Sequence, residues 1–252
     1  MNTILITGSS SGFGLETARL FLSRGWRVVA TMRTPRDDLL PATDRLRVLA
    51  LDVTDPQSIE QAVDAAGPIE ALVNNAGIGL MGAFEGSSLA TVRELFETNT
   101  LGTMAVTHAV LQQFRQRKRG VIVNVSSAIT LKPLPLIAAY TASKAAVEAF
   151  SESLALELEP FNVRVRLVLP GRGPETRFSD NARARMNNSI PEPYAEFAAK
   201  VFASRGDASA VTRSAEVAEA VWAAVTDPSL PVRMPVGADA LALAAEQKNP
   251  PP

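Results

Sequence analysis

Short apolar runs rich in Val, Ile and Leu alternate with stretches of helical periodicity along the whole chain. The runs predict strands, and they lie at 3–6, 27–31, 46–51, 69–73, 121–125, 163–168 and 232–236. Strands separated by helices form βαβ units, and right-handed crossovers between them give a parallel sheet with helices on both faces. We therefore predict a single-domain α/β fold with a doubly wound parallel sheet of about seven strands.

The length of 252 residues is compatible with one such domain over 1–252, and no linker or repeat interrupts it. A region at about 172–213, rich in Pro, Asn, Arg and Ser, follows the sixth strand. Ligands bind beyond the carboxyl ends of strands in open α/β sheets, so this region predicts a substrate lid. The tail at about 247–252 is expected to be disordered.

The composition disfavours several functional classes. A net charge of -1 creates no field for nucleic acid or an anionic membrane, and no apolar run approaches the ~20 residues of a membrane span. Cysteine is absent and His108 is the single histidine, so no metal site is expected. We expect a cytoplasmic protein that binds neither nucleic acid nor membrane.

A glycine-rich loop joins the first strand to the first helix, with the spacing Gly-x-x-x-Gly-x-Gly. Glycines let a phosphate approach the backbone, and the free N–H groups of the following helix suit a pyrophosphate. The alternative is a glycine-rich turn without a ligand. The predicted cofactor-binding residues of this loop are Gly8, Ser10, Ser11, Gly12, Phe13 and Gly14.

The end of the second strand bears on which dinucleotide fits. An acidic residue there binds the ribose diol of NAD, whereas an arginine accommodates the 2′-phosphate of NADP. The chain has Met32 and Arg33 at this place, although Asp37 and Asp38 follow shortly. We predict that NADP(H) is preferred over NAD(H), with a solvated surface arginine as the alternative.

Further motifs follow in a fixed order along the chain, and with the glycine loop they resemble the short-chain dehydrogenase/reductase family. The motifs are Leu51-Asp52-Val53, Asn74-Asn75-Ala76-Gly77, Asn99, Ser127, Tyr140-Thr141-Ala142-Ser143-Lys144 and Pro170-Gly171. The resemblance covers nearly the whole chain. It is nearest to the branch of hydroxysteroid and retinol dehydrogenases and carbonyl reductases, to which the stretch 236–240 is also similar.

The resemblance implies a Rossmann-type fold and a set of cofactor contacts. Asp52 and Val53 would contact adenine, and Pro170 and Gly171 the nicotinamide amide region. The residues implied at the adenosine ribose and the end of the fourth strand are Asn74, Asn75, Ala76 and Gly77. The family's threonine four residues after Gly171 is Glu175 here, so a cofactor contact of Thr176 stays open. A homodimer or homotetramer is also implied, paired through helices predicted at 92–116 and 140–159.

Tyr140 and Lys144 are four residues apart, so a helix places them on one face. A phenol has a pKa near ~10, and a nearby ammonium would lower it. Tyr140 could then exchange a proton with a substrate oxygen. By resemblance, Ser127 binds that oxygen, with Ser126 as its rival. Lys144 also binds the nicotinamide ribose, and Asn99 continues a proton relay through water to Lys144.

The leading hypothesis is hydride transfer between NADP(H) and a small-molecule carbonyl or secondary alcohol. Mostly apolar candidate pocket residues suggest a hydrophobic ketone: Met81, Ile129, Leu131, Pro133, Leu134, Leu136, Phe178 and 186–202. One alternative is an NAD-linked hydroxysteroid or sugar alcohol dehydrogenase. Another is a non-catalytic NADP-binding redox sensor. Four acidic residues are predicted to form a solvated helix face: Glu148, Glu152, Glu157 and Glu159.

Overall fold

A computed structural model describes residues 1–186, 189–206 and 210–248. Seven parallel strands form one sheet in the order β3-β2-β1-β4-β5-β6-β7, which confirms the predicted single-domain Rossmann-type fold. The reversal of strand order between β1 and β4 creates the switch point where ligands bind in such sheets. The strands are β1 Thr3–Ile6, β2 Arg27–Met32, β3 Leu46–Ala50, β4 Ala71–Asn74, β5 Gly120–Val125, β6 Val163–Pro170 and β7 Arg233–Val236.

Helices cover both faces of the sheet, and successive strand residues face opposite layers. Ile4 and Ile6 of β1 pack in the core that includes α1 and α8, whereas Leu5 between them packs in the core that includes α2, α4 and α5. The helices are α1 Gly12–Ser23, α2 Pro56–Ala66, α3 Leu89–Phe96, α4 Gly102–Arg117, α5 Ala138–Leu158, α6 Phe178–Ala184, α7 Ala195–Gly206, α8 Ser214–Thr226 and α9 Ala238–Lys248.

The continuous helix predicted at 92–116 is interrupted. A π-helical turn, Glu97–Leu101, separates α3 from α4 and places Asn99 in a fully buried position. Gly102 follows the turn directly, and a Cβ there would lie 2.7 Å from Cγ2 of Val53. Such turns recur at functional sites because they redirect one residue out of the helical register. The apolar periodicity of the sequence carries no signal for the extra residue.

The region after β6 contains more regular structure than the sequence predicts. It includes α6, a 3₁₀ turn at Glu192–Tyr194 and α7, whereas residues 187–188 and 207–209 lie outside the described part of the chain. The predicted tail begins inside α9, and its residues 249–252 also lie outside the described residues. Within the ranges that the structure describes, no helix has the length and apolarity to cross a membrane.

Candidate active site

A cleft of about 1360 Å³ opens at the carboxyl ends of the strands. Residues that follow each of the seven strands contribute to its lining, as expected for the ligand crevice of a doubly wound sheet. Representative lining residues, in strand order along the chain, are Gly8, Arg33, Asp52, Asn75, Ser127, Gly171 and Asp239.

The glycine loop forms one wall of the cleft. Gly8 has a φ of +71°, and a Cβ there would lie 2.8 Å from the α-carbon of Ala76. A Cβ on Gly14 would collide with the carbonyl oxygen of Gly8 and with the side chain of Asn75. Only glycine therefore allows the loop to pack this closely against the end of β4.

The first turn of α1 presents its N–H groups to the same wall. Ser11 precedes the helix with extended backbone, and its side chain makes no capping hydrogen bond to the described residues. Ser10, Ser11, Gly12 and Phe13 all line the cleft. Uncapped N–H groups, two hydroxyls and the positive end of the helix dipole are a donor set that fits the pyrophosphate of a dinucleotide.

The ends of β2 and β3 lie beside this loop. Arg33 is exposed and lines the cleft, and its charge contributes to lowering the pKa of Asp52 after the stronger effect of hydrogen bonds from Thr54. Asp52 Oδ1 accepts from the backbone N and the hydroxyl of Thr54, at 2.9 and 2.8 Å. Asp38 is paired with Arg36 at 2.6 Å, away from the cleft lining.

The two asparagines at the carboxyl end of β4 point in opposite directions. Asn75 lines the cleft and donates through Nδ2 to the carbonyls of Thr7 and Gly8, both at 3.0 Å. Asn74 is buried and donates through Nδ2 to Thr107 and Asn124, both at 2.9 Å. The expected contact of Asn74 with the adenosine ribose is wrong, because successive residues at a strand end face opposite sides of the sheet.

Tyr140 and Ser127 meet at the floor of the cleft. Tyr140 lies in the first turn of α5, and Ser127 begins the 3₁₀ turn Ala128–Leu131 after β5. Burial raises the pKa of Tyr140 above its ordinary value, and a hydrogen bond with the Ser127 side chain opposes that rise. Ser126, the rival of Ser127, also lines the cleft, but its hydroxyl donates to Oε1 of Glu148 at 2.6 Å.

Lys144 is buried one helical turn after Tyr140. Its Nζ donates to the carbonyl of Val125 at 3.0 Å. Burial lowers the pKa of Lys144 to about 8, although the charge of Glu148 opposes this. The expected lowering of the Tyr140 pKa by Lys144 is therefore wrong here: desolvation dominates the phenol, and the ammonium is directed to a backbone carbonyl.

Asn99 lies close to Lys144, and its side chain is engaged by the backbone of Ile78 and by the hydroxyl of Ser143. Its side-chain amide accepts from the N of Ile78 at 2.8 Å and donates to the carbonyl of Ile78 at 2.9 Å. A Cβ on Gly77 would lie 3.1 Å from Asn99 Oδ1 and 3.5 Å from Lys144 Nζ, so Gly77 separates the two side chains. The π-helical turn thus fixes the segment 77–78 against the lysine.

Residues 2–187 match the protein family described as short chain dehydrogenase. This chain belongs to that family. The match covers the glycine loop, the cleft floor and the Tyr140–Lys144 pair, so the family predicted from the ordered motifs is confirmed.

Individual relatives agree with this assignment. The 3-ketodihydrosphingosine reductase of Bacteroides thetaiotaomicron is 39% identical over 197 residues, which are 77% of this chain and 71% of that protein. Bovine retinol dehydrogenase 8 is 41% identical over 183 residues, which are 67% of this chain and 58% of the relative, so the match spans little more than half of that protein's length.

Solved structures of the family share the fold over almost the entire chain. A short-chain dehydrogenase from Streptomyces avermitilis superimposes with a TM-score of 0.85 at 33% identity, covering 99% of this chain and 94% of that one. A short-chain dehydrogenase from Burkholderia cenocepacia, solved in complex with NADP, has a TM-score of 0.78 at 26% identity and covers 99% and 93%.

In this short-chain dehydrogenase, Thr212 and Asp239 form hydrogen bonds to the segment after Pro170 that the sequence did not reveal, and we call this pair the clasp. Thr212 accepts from the N of Gly171 at 2.9 Å, and its hydroxyl lies 2.8 Å from Asp239 Oδ1. Asp239 Oδ2 accepts from the N of Arg172 at 2.6 Å. The resemblance of the stretch 236–240 to the family was the one sequence signal for these contacts. Thr212 lies well before that stretch in the chain, so the sequence offered no reason to pair the two.

The loop after β6 also contacts the glycine loop of the dehydrogenase. A Cβ on Gly12 would lie 2.9 Å from Cγ2 of Thr176, so the threonine methyl lies against the glycine. The Thr176 hydroxyl donates to the carbonyl of Gly173 at 2.8 Å. Thr176 therefore borders the glycine-loop wall of the cleft, although Glu175 occupies the family's usual threonine position.

The remaining wall of the cleft is apolar and comes from the segments after β4, before α5 and after β6. Met81, Ile129, Leu134 and Phe178 line it as predicted, and the segment 186–202 contributes Met186 and Phe202. Three predicted pocket residues lie elsewhere: Leu131 packs with Val147 and Ala240, Leu136 packs with Ala83 and Ala198, and Pro133 is exposed.

Proposed function

We propose that this short-chain dehydrogenase transfers hydride between NADP(H) and a carbonyl or secondary alcohol, with an apolar ketone as the substrate for reduction. One observation carries the proposal. Ser127 and Tyr140 meet beside Lys144 where the glycine-loop wall of the cleft adjoins its apolar wall. A carbonyl placed there has a hydrogen-bond donor, a proton source and room for an apolar body.

The residues of the glycine loop and the strand ends would hold the dinucleotide, and bound NADPH would supply the hydride. The proposed contacts that line the cleft are Gly8, Ser10, Ser11, Gly12, Phe13, Arg33, Asp52, Val53, Asn75, Ala76, Gly77, Tyr140, Lys144, Pro170 and Gly171. Gly14, which was also predicted, lies outside the lining and would act through its close packing against Gly8 and Asn75. The preference for NADP(H) is supported by Arg33, whose guanidinium suits a 2′-phosphate. It is also supported by Asp38, which is tied to Arg36 rather than free to bind a ribose diol.

The catalytic roles follow from the chemistry of the side chains. Ser127 would donate a hydrogen bond to the carbonyl oxygen and orient it. As the carbonyl carbon gains a hydride, Tyr140 would give its proton to the oxygen, which completes the alcohol. The raised pKa of Tyr140 keeps the phenol protonated at neutral pH. Lys144 would bind the nicotinamide ribose, and Asn99 would belong to the relay that restores the proton to Tyr140.

The apolar wall and the names of two relatives support the choice of substrate class. One relative is named for 3-ketodihydrosphingosine and another for retinol. These names support placing the chain in the branch of hydroxysteroid and retinol dehydrogenases and carbonyl reductases. The helices α6 and α7 would act as the substrate lid, since Phe178 and Phe202 reach the cleft from them.

Homo-oligomer formation is part of the proposal. Short-chain dehydrogenases commonly form oligomers, and this chain exposes Leu101, before α4, and Leu156 of α5 by 48% and 73%. Exposed apolar side chains on these helices support a homodimer or homotetramer paired through them. The cytoplasmic location stays a prediction.

The test is oxidation of NADPH and of NADH by the purified protein against a panel of ketones that includes apolar aliphatic and polycyclic members and a polar sugar ketone. We expect NADPH consumption with the apolar ketones, slower consumption of NADH and little with the sugar. Tight binding of NADPH with no turnover of any ketone would contradict the proposal and favour a non-catalytic redox sensor. A preference for NADH with the sugar would favour the NAD-linked alternative.

A further inference from the structure

Glu148 is a buried carboxylate behind the cleft floor, with 4% of its surface exposed. It lies on α5 one turn after Lys144, where the sequence predicts a solvated acidic face, and that prediction is wrong for this residue. Its Oε1 accepts from the hydroxyls of Ser126 and Thr130, at 2.6 and 2.7 Å. Its Oε2 is paired with Arg233 of β7 at 2.6 Å.

The two hydroxyls that bind Glu148 flank Ser127. Ser126 immediately precedes it, and the Thr130 hydroxyl shares its hydrogen between Glu148 and the carbonyl of Ser127, which lies 2.9 Å away. The N of Thr130 also donates to the Ser127 carbonyl at 3.3 Å. Glu148 therefore holds both ends of the turn from which the Ser127 hydroxyl projects.

The charges around Glu148 come from two elements. Lys144 precedes it on α5, and Arg233 approaches from the edge strand β7 and is shared with Glu152 at 3.3 Å. Burial of Lys144 disfavours its ammonium form, and Glu148 is the carboxylate whose charge counteracts this. A buried carboxylate is costly unless it is paired and hydrogen-bonded, and here two hydroxyls and a guanidinium meet that need.

We propose that Glu148 is a positioning residue of the active site, which fixes the turn carrying Ser127 and keeps Lys144 in its ammonium form. The inference rests on the proposed reductase function, because it assigns Glu148 an effect on the groups that perform that reaction. Glu148 acts on the substrate through Ser127 and Lys144.

The first test compares Glu148→Gln with Glu152→Gln, measuring NADPH-dependent ketone reduction from pH 6 to 10. Activity that needs the Lys144 ammonium falls as pH rises through the Lys144 pKa, which is about 8. Loss of the Glu148 charge lowers that pKa, so the alkaline fall should move about one pH unit lower. Glu152 shares Arg233 but its side chain is 46% exposed, so Glu152→Gln should leave the profile in place.

A second variant tests the sign of the effect. Arg233→Gln removes the positive charge that pairs with Glu148, so the net field at Lys144 becomes more negative and the alkaline fall should move to higher pH. General damage to the fold would not produce opposite shifts in Glu148→Gln and Arg233→Gln. This variant also keeps the proposal testable if Glu148→Gln does not fold.

Thr130→Val tests the second role of Glu148, which is to fix the turn. The variant removes one hydroxyl between Glu148 and Ser127 and leaves every charge in place. We expect kcat to fall roughly 10-fold through misplacement of Ser127, with an unchanged affinity for NADPH and an unmoved alkaline limb.

An alkaline limb at the same pH in Glu148→Gln, Glu152→Gln and the parent protein would overturn the assignment to Lys144. Wild-type kcat in Thr130→Val would overturn the assignment to Ser127. A parent protein that reduces no ketone would instead be a failure of the proposed function, and the two failures are therefore distinguishable.

Discussion

The ring of Phe178 lies against the ring of Tyr140, with centroids 5.4 Å apart and planes inclined at 51°. Phe178 begins α6, and a Cβ on Gly79 would lie 2.8 Å from its ring, so the phenylalanine is held between the segment after β4 and Tyr140. This contact places an apolar group at the position where the body of a ketone would approach Tyr140.

Phe178→Ala should weaken the use of apolar ketones. Removing a largely buried phenyl ring forfeits about 1.5–3 kcal/mol of apolar contact, so KM for these substrates should rise roughly 10-fold or more. Steady-state rates across the ketone panel measure the effect. Phe197→Ala is the control, because Phe197 lies on α7 with about half of its surface exposed and outside the cleft lining. An unchanged substrate profile in Phe178→Ala would count against its place in the site.

Arg33→Asp should reverse the cofactor preference. It removes a charge-assisted contact with a 2′-phosphate and supplies a carboxylate for a ribose diol, so the NADPH/NADH ratio of kcat/KM should fall roughly 100-fold. Arg36→Gln is the matched control, because Arg36 is paired with Asp38 away from the cleft. A ratio that barely changes in Arg33→Asp would support the NAD-linked alternative.

Asp239→Asn should weaken cofactor binding without touching the catalytic groups. The amide has one acceptor oxygen in place of two, so Asp239 loses its contact with either the N of Arg172 or the hydroxyl of Thr212, and the segment after Pro170 loosens. We expect the Kd for NADPH, measured by its fluorescence, to rise roughly 5- to 10-fold. Glu246→Gln on the same helix is the control, since Glu246 pairs with Lys132 at the surface. Equal affinities in both variants would contradict the clasp.

Lys144→Met should stabilise the protein while abolishing turnover. The pKa of Lys144 falls from 10.5 to about 8 on folding, so the unfolded chain holds the proton more tightly. The destabilisation that the buried Lys144 charge causes is fully present below pH 8 and is lost as pH rises from 8 to 10.5. Methionine avoids it, so the free energy of unfolding at pH 7 should increase by on the order of 1–3 kcal/mol.

Urea unfolding at pH 7 and pH 10 measures the effect of Lys144→Met. The gain over the parent protein should be largest at pH 7 and small at pH 10. Lys200→Met, which alters an exposed pair with Glu196, should change stability little at either pH. A Lys144→Met variant that is less stable than the parent at pH 7 would contradict the account of buried charge.

Much of this architecture is readable from the sequence, because its signals are local. The β-branched run at 163–168 predicts β6. The apolar run at 3–6 followed by Gly8 predicts both β1 and the turn into the glycine-loop wall of the cleft. The positions of Ser127, Tyr140 and Lys144 follow from motif order, since Ser127 follows a strand at the carboxyl edge of the sheet, and Tyr140 and Lys144 lie in the first two turns of the next long helix.

What the sequence could not show depends on contacts between distant residues. Glu148 belongs to a helix with several acidic residues, and its burial is set by Thr130 and Arg233 on other elements. Lys144 was expected to lower the pKa of Tyr140, but its ammonium instead donates a hydrogen bond to the carbonyl of Val125. The inward turn of Asn74 likewise depends on Thr107 and Asn124.

The most direct test of the account is Tyr140→Phe, measured for ketone-dependent NADPH oxidation and for NADPH binding. The variant removes only the phenolic hydroxyl, so the ring contact with Phe178 and the fold should persist. We predict a loss of turnover of at least 100-fold, since general acid catalysis contributes roughly 10²–10⁴ in rate, with an NADPH Kd within a few-fold of the parent value. Reduction at the parent rate by Tyr140→Phe would contradict the assignment of Tyr140 as the proton donor.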